Sequence, residues 1–202
     1  MCPVFLIFLY FTIGFSKCDI LEKMEKEGII PDVIDVVPKE TLEVTYPGGE
    51  KVNFGEELTP TQVKDPPTVN WTATQNAYYT LAMVDPDAPS RENPIFREVN
   101  HWLIGNILGS DLESGEVITG YMGSGPPKGT GLHRYIFLVF QQNEKLDFDE
   151  PRTNVLSRAH RRNFSLKKFV EKYKLGKPIA GNFFKAQWDS YVDIRLKMIT
   201  EN

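Results

Sequence analysis

Cysteine is nearly absent from this chain: only Cys2 and Cys18 occur in 202 residues. Removal of the first segment takes Cys2 with it, leaving at most one thiol and no internal disulfide. A chain of this length manages without one, because it buries a real core. An excess of positive charge is missing too. The formal net charge is -4, which argues against a general nucleic-acid binder. No apolar run is long enough for a comfortable membrane span, and no internal repeat is visible. What remains is ordinary globular composition, 41% hydrophobic and 25% charged, and a length that favours one domain.

The longest apolar run, Val4 to Phe15, stands at the start and lacks a preceding Lys or Arg. Gly14 and Ser16 are small residues at the spacing a signal peptidase accepts. Residues 1–16 therefore read as a secretory signal peptide, cleaved after Ser16 or, as second choice, after Cys18. The predicted domain spans residues 19–202 and is extracellular. Two glycosylation sequons fit that route, Asn70-Trp71-Thr72 and Asn163-Phe164-Ser165.

The pattern along the chain predicts strands in the middle and helices at the ends. Asp19 to Gly28 reads as a short helix capped by Asp19 and stopped by Gly28. Leu42 to Tyr46 alternates as a strand, followed by a Pro47-Gly48-Gly49 turn. Leu58 to Pro67 is loop-like. Val69 to Thr72, Tyr78 to Val84 and Arg97 to Ile107 read as strands. In the last of these, alternation puts Val99, His101 and Leu103 on one face. The continuous run Tyr135 to Phe140 predicts a central strand covered on both faces. Phe164 to Leu175 has helical spacing, Ile179 to Trp188 is extended, and Ser190 to Thr200 is a terminal helix. The order predicts a mainly β, α+β fold with an antiparallel or mixed core rather than a doubly wound α/β fold.

Two polar clusters carry the chemistry. Asp85-Pro86-Asp87-Ala88-Pro89-Ser90-Arg91 follows an apolar strand, and its prolines make a stiff turn that holds side chains in place. Gly123-Ser124-Gly125-Pro126-Pro127-Lys128-Gly129-Thr130-Gly131-Leu132-His133 precedes the central strand. Its glycines let the backbone approach a ligand and turn N–H groups toward an anion. It is not a P-loop, because Lys128 precedes Gly129 and no helical pattern follows. Three strands thus deliver Asp85, His101 and His133 toward one mouth of the sheet, where imidazoles can donate to a phosphate. The alternatives are a divalent metal on two His and a carboxylate, or a Ser124-His101-Asp85 triad, which lacks a G-x-S-x-G elbow. The basic segment from Arg158 to Lys174 reads either as a solvated helix face or as a contact with anionic membrane. If a protonated imidazole holds the anion, binding weakens above about pH 7.

At these residues the chain resembles the phosphatidylethanolamine-binding protein family, which includes the Raf kinase inhibitor proteins and the plant flowering regulators. The resemblance rests on both clusters, on Arg97-Glu98 with His101, on Leu58 to Lys64 and on Pro178-Ile179-Ala180-Gly181, and it spans about Ile30 to Met198. It implies a large central antiparallel sheet, a smaller sheet against it and terminal helices. It implies a ligand pocket made by Asp85, Pro89, His101, Gly125, Pro127, His133 and Tyr135, with a cis peptide before Pro89. Three rim positions depart from the commoner animal pattern: Phe96 and Leu196 stand where tyrosine is usual, and Val99 where tryptophan is. The implied function is non-enzymatic binding of a phospholipid headgroup or another small anionic ligand without a cofactor, in a secreted branch of the family. The alternative is a regulator that binds a serine protease.

Overall fold

The computed structural model describes residues 17–200. The apolar segment from Val4 to Phe15, with the expected cleavage position after Ser16, lies outside the described residues. At the centre is β7 (His133–Gln142), which is apolar on both faces. Tyr135, Phe137 and Val139 enter one buried cluster, and Ile136, Leu138 and Phe140 enter another. Period-two alternation of aromatic and branched side chains produces this split.

Five further strands build the sheet around it: β1 (Glu40–Thr41), β4 (Tyr78–Asp85), β5 (Val99–Leu108), β6 (Glu116–Thr119) and β8 (Pro178–Ala186). Their order is β1-β8-β7-β4-β5-β6. All neighbours are antiparallel except β1 and β8, which run parallel at one edge. A small antiparallel pair, β2 (Glu43–Thr45) and β3 (Thr68–Asn70), contributes Val44 and Val69 to the first cluster. The opposite cluster receives Ile20 and Met24 from α1 (Lys17–Lys26), and Leu166 and Phe169 from α2 (Leu166–Lys172). The last helix, α3 (Ser190–Thr200), follows β8.

Helix ends show where local signals held and where they did not. Asp19 lies within the first turn of α1 rather than at its cap. Ser165 caps α2 by accepting the Lys168 amide, so the helix begins later than the apolar spacing predicts. Ser190 to Thr200 is helical as its pattern indicates.

One irregularity positions the site. Met83 pairs with Trp102, but Val84 pairs with Asn100, so His101 is an extra residue in β5. Such a bulge lets successive side chains share a side. Trp102 joins the cluster of Tyr135, Leu103 joins the opposite one, and the His101 ring packs edge-on against Tyr135 at 5.1 Å between centroids. The face predicted for Val99, His101 and Leu103 is therefore broken: Leu103 leaves it. Asp85 lies two residues beyond Met83, and His133 two before Tyr135, so both fall on the face that the bulge gives to His101.

Candidate functional site

The turn after β4 is held by its own side chains. Asp85 Oδ1 accepts the Asp87 amide at 2.7 Å, an Asx-turn that fixes the carboxylate. The peptide bond before Pro89 is cis. Asp85 Oδ2 accepts His133 Nδ1–H at 2.9 Å, and both residues are buried. His133 Nε2 lies 3.0 Å from the Thr130 hydroxyl of the glycine-rich loop. Thr130 also reaches the Pro127 carbonyl at 2.8 Å, so the loop is tied to the imidazole it precedes.

His101 Nδ1 stands 2.6 Å from the Met122 carbonyl. A carbonyl only accepts, so Nδ1 carries the proton. Burial pushes the His101 pKa down to about 4, although the nearby Asp85 carboxylate favours the charged form. The ring is therefore neutral at neutral pH. Tyr135 accepts the Gly125 amide at 3.3 Å and stacks on Phe184, and burial raises its pKa well above the ordinary value. That Gly125 N–H serves a side chain and is not free to cradle an anion.

These groups line one cavity of about 110 Å³. The structure brings together Asp85, Pro89, Phe96, Val99, His101, Gly125, Pro127, His133 and Tyr135. Leu196 is not among the lining residues; its neighbour Arg195 is. Successive helical residues point about 100° apart, so a single step along α3 exchanges an apolar side chain for a guanidinium. Ser124 is wholly buried with its hydroxyl unpartnered, and it does not line the cavity. The alternative Ser124-His101-Asp85 triad is therefore not assembled.

Four arginines line the same cavity: Arg158, Arg161, Arg162 and Arg195. The sequence placed three of them on a solvated or membrane-facing basic segment. Instead the segment is divided. Arg161 is 1% exposed, and it donates to the carbonyls of Asn100, His101, Gly120, Asn154 and Ser157. Its backbone carbonyl accepts the Asn100 amide at 2.8 Å, which draws the loop against β5. Arg162 covers the Phe96 ring at 4.2 Å, so this phenyl group is a platform for a cation. Lys167 and Lys172 leave for ion pairs with Asp35, Asp149 and Glu150. Arg195 donates to the carbonyls of Gly123 and Ser124. A Cβ on Gly125 would lie 1.5 Å from Arg195 Nη2, so only glycine admits this guanidinium. Burial and mutual repulsion lower the pKa of Arg158, Arg161 and Arg195, with Arg161 near 10, and all remain charged at neutral pH.

One carboxylate thus faces four guanidinium groups, an arrangement suited to holding an anion. The second carboxylate of the turn, Asp87, has a different partner. Arg134 of β7 forks onto it, Nε at 2.8 Å and Nη2 at 2.6 Å, away from the cavity lining. Both sequon asparagines, Asn70 at the end of β3 and Asn163 before α2, are exposed.

Known proteins share this arrangement of strands. The chain is 41% identical over 176 residues to odorant-binding protein A5 of Drosophila melanogaster, covering 87% of this chain and 84% of that protein. It is 48% identical to the solution structure of CG7054, with a TM-score of 0.70, covering 85% of this chain and 97% of that one. A carboxypeptidase Y inhibitor, crystallised with its cognate proteinase, is 25% identical with a TM-score of 0.74, over 88% of this chain and 98% of that one. The sequence profile described as phosphatidylethanolamine-binding protein matches residues 34–184. The chain belongs to the phosphatidylethanolamine-binding protein family.

Proposed function

We propose that this chain is a secreted, non-catalytic binding protein whose cavity takes a small phosphate-bearing ligand, a phospholipid headgroup among them. The observation that carries this reading is the cavity lining: Asp85 alone against Arg158, Arg161, Arg162 and Arg195. His133, oriented by Asp85, and the arginines bind; the hydroxyl beside His133, that of Thr130, is tied to the Pro127 carbonyl. Secretion rests on the apolar segment from Val4 to Phe15 and on likeness to a relative named as odorant-binding, with Asn70 and Asn163 as glycan acceptors. No helix among the described residues is long and apolar enough to cross a membrane. Calorimetric titration with phosphorylethanolamine tests the reading. Saturable heat with the native protein, lost in His133→Ala, is the expected result, and equal heat in both sinks it. The likeness to a carboxypeptidase Y inhibitor favours a second reading, that the same face engages a protease. A panel of serine proteases left fully active by excess protein would remove it.

A further inference from the structure

The cavity does not merely tolerate negative charge; its own charges are left unbalanced. Elsewhere arginines meet carboxylates: Arg97 meets Asp32, Arg134 meets Asp87, and Arg152 meets Glu116. Among the described residues, Arg158, Arg161, Arg162 and Arg195 have no such ion pair. Arg195 also has a buried Nε without a hydrogen-bond partner. Asp85, the one lining carboxylate, already accepts His133 Nδ1 and the Asp87 amide. An ammonium group entering this space meets at most one neutral acceptor, the unprotonated Nε2 of His101, and several like charges. A ligand with two negative charges and no ammonium meets four guanidinium groups against that single carboxylate.

Resting on the anion-binding reading above, we infer that the cavity selects the dianion of a phosphate monoester over a zwitterionic diester headgroup, and that Arg195 and Arg162 set this preference. Arg195 reaches the lining from α3 and occupies the space over Gly125. Arg162 stands exposed on the Phe96 ring. The two come from separate elements and flank the same volume of about 110 Å³. The monoester comes either from a soluble metabolite or from a phosphatidic-acid type headgroup; both present the same dianion.

The test is calorimetry at about pH 7.5, where a phosphate monoester is largely dianionic. Glycerol 3-phosphate and glycerophosphoethanolamine are titrated into the native protein, Arg162→Gln and Arg195→Gln. Glycerol 3-phosphate is expected to bind about tenfold more tightly or better, a difference of about 1.4 kcal/mol. Arg162→Gln, which removes an exposed charge without disturbing the core, is expected to narrow that ratio several-fold, and Arg195→Gln to do the same. Glycerophosphoethanolamine bound as tightly, or an unchanged ratio in both variants, overturns the assignment while leaving the anion reading standing. Saturable binding of neither compound overturns both. Vesicles of phosphatidylcholine carrying phosphatidic acid or phosphatidylethanolamine separate the two sources. Retention on the former alone supports a lipid monoester; retention on neither, with glycerol 3-phosphate bound, supports a soluble one. Greater retention on phosphatidylethanolamine contradicts the assignment.

Discussion

Arg134 and Arg161 are both buried guanidinium groups, and they represent two kinds of region. Arg134 closes on carboxylates: it forks onto Asp87 and reaches Asp32, and its Nη1 donates to the Glu27 and Gly28 carbonyls. Arg161 closes only on backbone carbonyls, and three more arginines stand around the same cavity. In the first region every charge has an opposite inside the protein, so its role is to hold the turn after β4 against β7. In the second the sum is positive, so an anion from outside completes it. Asp85 and Asp87, two residues apart, are divided between the regions. The same turn supplies a fixed strut and one wall of a binding site.

The comparison breaks most severely at the strut. Replacing Arg134 with Met leaves Asp87 buried and unpaired, and such a loss costs about 3–5 kcal/mol. Denaturant unfolding is expected to show that drop; a loss under about 1 kcal/mol would mean that the strut is not structural.

A third kind of buried charge sharpens the contrast. Glu98, beside the cavity residue Val99, accepts the Leu166 amide at 2.9 Å, and burial raises its pKa to about 7. The folded state holds this proton more tightly than the unfolded chain does. Stability is therefore full below about pH 4.5 and falls as pH rises through 7, by on the order of 2–3 kcal/mol. Glu98→Gln is expected to flatten that slope in unfolding measured across this range; an unaltered slope would assign it elsewhere.

Within the cavity the effects move from stability to affinity. His133→Ala removes the cavity-lining side chain that Asp85 orients, and phosphate affinity is expected to fall at least tenfold, about 1.4 kcal/mol. Undiminished affinity by calorimetry would place the anion elsewhere. The smallest stability change is expected at Arg162. Its contact with Phe96 is exposed and contributes about 0.5–1 kcal/mol, so Arg162→Ala should unfold almost as the native protein does while binding phosphate more weakly. A large loss of stability would make it a strut like Arg134.

Much of the frame was legible because it rests on local periodicity. The run from Tyr135 to Phe140 announced a strand covered on both faces, and Ser190 to Thr200 announced a helix. The Asp85 turn and His133 announced one end of the sheet. The bulge at His101 was not legible, since an extra residue leaves the hydrophobic pattern intact and shows only in pairing with β4. Nor were the arginines. Arg161 enters through a loop that pairs with β5 across 61 residues of sequence, and no local signal encodes such a contact. Arg195 rather than Leu196 faces the cavity because of the rotation of α3, which is set by its packing and not by its own weakly patterned sequence.

The account depends on the cavity's charge being completed by an anion, and His101 reports on that directly. Its imidazole can be titrated by NMR in the free protein and with saturating inorganic phosphate. The expected midpoint is near 4 without phosphate and above about 5 with it, since an opposite charge within a few ångströms favours the protonated ring. A midpoint that phosphate leaves unmoved would contradict the account.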